Sequence, residues 1–477
     1  MVTGLWSGLK PYPRMKRSDL PWAGDVPEHW TLMPNRGMLK KRKILVGDRH
    51  NEYQLLSLTK LGVIVRDIST GRGKFSADMG TSQIVCNGDL VFCLFDVPET
   101  PRTVGLSTHD GMITSAYTVF ECHNNLLARF LELFYIAMDD RKLLSPLYSG
   151  LRHTISPSKF LGIKTPIPPI AEQEAIVKYL DYGDRRIRKL IQAKRKLIGL
   201  LNEQKQAIIH QAVTRGLDPD VPLKDSGIEW LGQIPKHWNV VPLKYLGDKF
   251  GSGITPRGGG AVYQTEGVPF LRSQNVHFTG LKLNNVAKIS FELHNSLSST
   301  HLKPYDVLLN ITGASLGRVC IVPHDFYEGN VNQHVCIIRA KQQQLNPNYL
   351  SAYLSTPGMQ KEIQIEQNGA SREGLSLDSI RNFNILLPPI HEQQKVVEYL
   401  EQATAEIDQA IDRANREIEL LNEYRTRLIA DVVTGKLDVR DIAATLPDHD
   451  PLAEADLNDP LEEETDLESP EDIEEED

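Results

Sequence analysis

The sequence predicts an α+β protein: two mixed α/β domains joined by two long helices that form an antiparallel intramolecular coiled coil, arranged as a pseudo-twofold internal repeat. Three observations carry this. The block Pro168-Pro169-Ile170-Ala171-Glu172-Gln173 returns 220 residues later as Pro388-Pro389-Ile390-His391-Glu392-Gln393, and the register then holds without a gap for about 50 residues. A second pair, Pro21–Trp30 and Glu229–Trp238, shares the pattern W-x-G-x-[VI]-P-x-H-W at an offset of 208. After each Pro-Pro start, apolar residues recur with alternating four- and three-residue spacing.

Taken in order, residues 1–30 are a lead segment. Pro and Gly forbid a helix there, so its Trp residues either anchor an extended lead onto the adjoining domain or stack on a nucleic-acid base. Residues 31–165 form the first mixed domain. Its short β-rich runs, Gln83–Cys86 and Leu90–Leu94, are split by Gly, Asn and Asp turns, and a helical pattern follows near Leu126–Met138. Residues 166–218 are the first long helix, and 219–238 a linker carrying the second Trp lead. Residues 239–385 are the second mixed domain, with a strand at Val335–Ile338 and a helix at Pro347–Leu354. Residues 386–440 are the second long helix. The second variable region is 12 residues longer than the first.

Each long helix runs for about 40 residues, roughly 60 Å. Proline is tolerated at a helix start, and Gly216 and Gly435 stand where the helices should stop. The first seam is Leu180, Ile187, Ile191, Ile198, Leu201 and Ile208; the second is Leu400, Ile407, Ile411, Ile418, Leu421 and Leu428. A helix with so narrow a stripe needs a partner. Residues 168–218 hold ten Lys or Arg against six Asp or Glu, and residues 388–438 hold six against eleven. Unlike charge pairs the two copies with each other. The basic cluster Arg185, Arg186, Arg188, Lys189, Lys194, Arg195 and Lys196 has two other readings, a solvated face or a phosphate contact.

At 477 residues and 40% apolar content the chain can build real cores. No run of about 18 apolar residues exists, so a membrane helix is not expected. The start lacks a signal-peptide core, which predicts a cytoplasmic protein. Cys86, Cys93, Cys122, Cys320 and Cys336 form no C-x-x-C, so neither a disulfide framework nor a structural metal is expected. The net charge of −9 conceals a division: residues 441–477 carry 17 acidic and no basic side chains, leaving +8 on residues 1–440. Residues 441–477 read as an acidic disordered tail, either solubilising or an electrostatic decoy competing with DNA for basic surface.

Internal twofold character suits a target in two halves, of which duplex DNA is the first candidate. The residues at this point resemble the specificity (S) subunit of type I restriction–modification enzymes. The likeness runs from Pro21 to Asp438. It is carried by the block Gly227–Trp238, by the two P-P-x-x-E-Q-x-x-[IV]-V-x-Y-L helix starts, and by Gly253-Ile254-Thr255-Pro256, Gly267–Arg272, Thr312–Gly317 and Asn332-Gln333. The resemblance implies two target-recognition domains, each reading half of a split DNA site, spaced by the helices. It implies two modification (methyltransferase) subunits and restriction/translocase subunits as partners. It places S-adenosylmethionine, ATP and Mg2+ in those partners, with no cofactor in this chain.

The residues agree in lacking catalytic motifs. Gly71-Arg72-Gly73-Lys74 is followed by Phe75, so no phosphate-loop hydroxyl is present. No [ND]-P-P-[FY] sequence exists for a flipped adenine, and Glu203-Gln204-Lys205 lies on a long helix. What remains is binding. The candidates are Arg66, Arg72, Lys74, Arg102, Arg152 and His153 in the first half, and Arg257, Arg272, Ser273, Gln274, Asn275, Arg318, Gln333 and Arg372 in the second. Arg forks onto guanine, and Asn or Gln pairs with adenine. Arg152 and Arg372 share the 220-residue offset, which suits phosphate positioning. Two rival readings stand: a coiled-coil assembly scaffold that reads no DNA, and an enzyme active on its own.

Overall fold

The computed structural model describes residues 8–66, 79–100, 102–256, 258–368, 374–448, 450 and 452. The described residues divide into two compact units, those up to 194 together with those from 416 onward, and residues 195–415. The candidates Arg72, Lys74, Arg257 and Arg372 lie outside the described residues.

In the first unit the lead folds into an antiparallel hairpin of Met15–Arg17 and Asp25–Pro27, with Met15 opposite Pro27. Strand Thr31–Pro34 then pairs with Lys164–Ile167, which delivers the chain into the first long helix. Between them lies a four-stranded sheet in the order Leu39–Arg42, Thr118–Cys122, Leu90–Phe92, Val104–Leu106. Helix Asn125–Asp140 contributes Phe130, Phe134 and Tyr135 to one core with Trp30, Phe92, Phe120 and Phe160. Its first turn is capped by the Asn124 side chain, which accepts from the Leu126 N–H at 2.7 Å. Buried Asn35 is fully used: it donates to the Tyr135 hydroxyl and to Phe160 O, and accepts from Thr165.

The same core is closed by the far end of the chain. Leu428, Val432 and Val433 of the second long helix and Val439 and Ala443 beyond it are all buried there. This corrects the expectation of a tail disordered from residue 441. Residues Arg440–Thr445 are helical, because Val439, Ile442, Ala443 and Leu446 stand at helical spacing and cover the core. The tail's first acids then meet the basic cluster: Asp448 lies 2.8 Å from Lys178, and Asp450 lies 2.8 Å from Arg185 and 3.1 Å from Arg186.

The second unit repeats the pattern. Hairpin Leu223–Asp225 and Gln233–Pro235 sets Leu223 opposite Pro235, the first hairpin's register shifted by 208. Asn239–Pro242 pairs with Asn384–Leu387, which leads into the second long helix. The sheet order is Gly247–Ser252, Val335–Ala340, Val307–Asn310, Val319–Ile321. Helix Pro347–Leu354 covers it with Tyr349 and Tyr353, in a core shared with Trp238, Ile209, Val213, Val396 and Leu400. A second sheet, of Ala287–Ile289, Val268–Leu271 and Asn330–Val331, contains a parallel pair. The strands and helices expected at Gln83–Cys86, Leu90–Leu94, Leu126–Met138, Val335–Ile338 and Pro347–Leu354 are present to within two residues.

The long helices are Ile170–Arg215 and Ile390–Val433, 46 and 44 residues. Gly216 and Gly435 follow them in the left-handed region at φ 75° and 73°, ending each helix as expected. In the first unit Asp184 pairs with Arg425 and Lys194 with Glu417; in the second, Lys205 meets Asp408 at 2.5 Å. In the first unit one number rises as its partner falls, so the helical segments there run in opposite directions. Leu180, Ile187, Ile191, Leu400, Ile407 and Leu428 are buried, and Ile198, Leu201, Ile208, Ile411, Ile418 and Leu421 half-buried. Lys205 of the Glu203-Gln204-Lys205 triplet is thus an interhelical partner. Among the described residues no helix is long and apolar enough to cross a membrane.

Candidate nucleic-acid interface

The second unit gathers its candidates on three loops at one end of the main sheet. Arg272, Ser273, Gln274 and Asn275 follow strand Val268–Leu271, Arg318 ends the turn after Val307–Asn310, and Gln333 precedes Val335–Ala340. Asn310 ties two loops together: its amide donates to Ser273 O at 2.8 Å and to Ser315 Oγ at 3.0 Å. The third is joined through Thr312 Oγ1, 2.5 Å from His334 Nδ1, and through Asn332 N–H, which donates to Leu271 O. Gly253 permits this convergence. A Cβ there would stand 1.8 Å from Val331 O and 2.3 Å from Asn332 O, so no larger residue fits.

Within this cluster Gln274 and Gln333 are exposed, and Arg272, Ser273 and Arg318 half-buried. Arg272 lies 5.4 Å from the Tyr263 ring centroid. Buried Arg272 Nε, Asn310 Oδ1 and Thr255 Oγ1 have no hydrogen-bond partner among the described residues. Buried polar atoms are ordinarily satisfied, so three orphans beside one loop cluster suit a polar ligand. Asn275 has a different role. It is 2% exposed, its carbonyl accepts from Arg272 N–H and its amide donates to Lys282 O, so it holds the loop. Sequence reasoning missed Asn310, Thr312 and His334. Their polar character beside Gly313 was the available signal.

The first unit is different. Arg102 lies 2.7 Å from Asp140 and 3.8 Å from Asp139, with 17% of its side chain exposed. Arg152 and His153 occupy an exposed turn between Ser149 and Thr154, with Leu151 wholly exposed between the paired ends. Arg152 is held by Asp96 at 2.7 Å, and its guanidinium lies 5.9 Å from the Phe95 ring centroid. Phe95 in turn lies 6.1 Å from Tyr117 between ring centroids, and Arg66 is half-buried. Tyr117, Phe95 and Arg152 therefore form one run of aromatic and basic groups. The two aromatic members were not anticipated.

Three of the four described lead tryptophans are buried anchors, and Trp230 is half-buried and donates to Glu362 at 2.9 Å. Trp22, Trp30 and Trp238 are at most 9% exposed, which leaves no face for a base. Trp30 Nε1 donates to Glu172 at 2.7 Å and Trp238 Nε1 to Glu392 at 2.8 Å, so each lead is pinned to the start of a long helix. Burial alone would raise the Glu392 carboxyl, but hydrogen bonds from Trp238 and His237 hold it below the usual range. Burial pushes the Cys320 and Cys336 thiols up to about 12, which makes them inert packing groups. Among the described residues no cluster of three metal-ligating side chains occurs.

Residues 235–420 match the family described as the type I restriction modification DNA specificity domain. The type I restriction enzyme EcoBI specificity subunit of Escherichia coli is 26% identical over 286 residues, 57% of this chain and 58% of that protein, so the chain spans less than two thirds of that relative. The type I restriction enzyme MjaVIII specificity subunit of Methanocaldococcus jannaschii is 24% identical over 427 residues, 87% of this chain and 95% of that one. The chain is thus similar to type I specificity subunits, and the match to the specificity-domain family spans residues 235–420. A solved chain from work on complex assembly and conformational transition of the type I R-M system has the same fold. It aligns with a TM-score of 0.56 at 15% identity, covering 86% of this chain and 98% of that one. The three-loop cluster lies within the matched stretch.

Proposed function

We propose that this chain is the sequence-reading subunit of a type I restriction–modification complex. It binds a split duplex site with one variable domain on each half, and it carries modification subunits and a restriction subunit that perform the chemistry. The observation that carries the reading is the three-loop cluster of the second unit, with Gln274, Gln333, Arg272 and Arg318 around unsatisfied polar atoms. It lies within the stretch that matches the specificity domain. Arg and Gln are the side chains that discriminate base edges in the major groove. Arg66, Phe95, Tyr117 and Arg152 form the corresponding surface of the first half.

The long helices are read as an antiparallel intramolecular coiled coil relating two repeats by a pseudo-twofold. The inward seam, the opposed ion pairs and the 208- and 220-residue correspondences support this. Methylation mapping in the source cell and in a knockout tests the function: a bipartite adenine motif that vanishes on deletion is expected. A methylome unchanged by deletion overturns it. In vitro, Arg318→Ala and Gln333→Ala should relax preference at one half-site by about 1–3 kcal/mol per lost base contact. Unaltered selectivity in both removes this cluster from the interface.

A further inference from the structure

The carboxylates that pin the two leads have unequal surroundings. In the first unit Glu172 is 4% exposed at its side chain and accepts from Trp30 Nε1 and from the Tyr12 hydroxyl, with His29 Nε2 at 2.7 Å. The Tyr12 ring centroid lies 5.8 Å from that of His29 and 6.1 Å from that of Trp30, and the Arg440 guanidinium lies 5.3 Å from it. The backbone beside it is closed by Asp438 N–H, which donates to Lys10 O at 2.8 Å. Both ends of the described chain thus crowd this carboxylate.

In the second unit one continuous segment passes the same place. Glu392 accepts from Trp238 Nε1 and has His237 Nε2 at 2.9 Å, yet its side chain is 30% exposed. The matching hairpin registers put Asp220 at the position of Tyr12, and Asp220 faces solvent. A cavity of about 370 Å³ lies there, lined by Glu392, His237, Trp238, Asp218 and Val221 among others. These include the counterparts of Glu172, His29, Trp30 and Asp438, the groups around Tyr12.

We propose that this cavity is a socket for a tyrosine side chain presented by the modification subunit. The first unit supplies the template: a ring edge-on to the tryptophan, with its hydroxyl donating to the carboxylate. Glu392 selects a donor, since a phenylalanine would cover the carboxylate without satisfying it and an acidic side chain would be repelled. The volume lies at the lower end of the range for ligand pockets, about 300–1,000 Å³. The identity of the presenting chain rests on the assembly role proposed above; the ring-and-hydroxyl chemistry stands apart from it.

The test titrates p-cresol into the full-length chain and follows the Trp238 indole N–H resonance. A saturable shift with p-cresol and none with toluene is expected. Val221→Trp fills the cavity, and Asp220→Tyr supplies the ring from within the chain. At least one that keeps the parent melting temperature should abolish the p-cresol shift and weaken the purified modification subunit's binding at least tenfold, with duplex binding by the isolated chain unchanged. No saturable shift, or an equal response to toluene, overturns the chemistry. A p-cresol shift with parental modification-subunit affinity in both variants overturns the partner and leaves the DNA-reading proposal intact.

Discussion

Gln274 and Asn275 are neighbours of similar chemistry with opposite roles. Gln274 faces solvent, whereas both ends of Asn275 are spent on the backbone of its own loop. Asn275→Ala should cost about 1–3 kcal/mol by leaving buried backbone groups unmatched, read as a lowered melting temperature. Gln274→Ala should leave stability within about 0.5 kcal/mol and alter only DNA preference. Parental stability in Asn275→Ala would show that its hydrogen bonds are dispensable. The sequence supplies the residue types and the turn context, and both residues score alike on these. What separates them is burial, and the buried Asn275 amide meets Lys282 O beyond the following hairpin. The ion pairs of Arg102 are hidden for the same reason: Asp139 and Asp140 come from the end of a helix 37 residues further on. Contacts distant along the chain are invisible to local pattern.

The long helices were far more legible, because their signals are local and repeated. Pro-Pro starts, glycine stops, seam and opposite charge each follow from spacing of a few residues. Their ion pairs make a pH prediction. Burial alone would raise the Asp184 carboxyl, but Arg425 and Arg188 hold it below its ordinary 3.8. A depressed carboxylate contributes stability that is present above the unfolded value and lost as pH falls through the folded one. The melting temperature should therefore be insensitive to this pair between pH 8 and 5 and decline below about pH 4. Asp184→Asn should lower it at pH 7 and flatten the acid limb; an unchanged limb excludes the pair as its source. The short helix Arg440–Thr445 was hidden because a count of 17 acids outweighs four apolar residues. Beyond it, Asp448 and Asp450 cover Lys178, Arg185 and Arg186. The Asp448→Asn, Asp450→Asn double variant should tighten nonspecific duplex binding and steepen its salt dependence. Equal affinity at every salt concentration removes the decoy role.

For the whole molecule, the duplication made the architecture readable, since each half vouches for the other. Removing seven residues from each long helix keeps the seam in register while shortening each by about 10 Å. The half-site sequences should persist while the preferred gap between them contracts by about three base pairs, as seen in methylation motifs or footprints. An unaltered gap would sever helix length from target spacing.

The first unit draws its core from both extremes of the chain, with Trp30 and Phe130 covered by Leu428, Val433 and Ala443. Residues 195–415, the second unit, are therefore translated before the first can close. At about 5–20 residues per second, the first-made aromatic surface waits roughly 10–45 s on the ribosome for its lid. A nascent chain of this design needs chaperone cover early, and a premature stop after residue 415 spares the later half while stranding the earlier one.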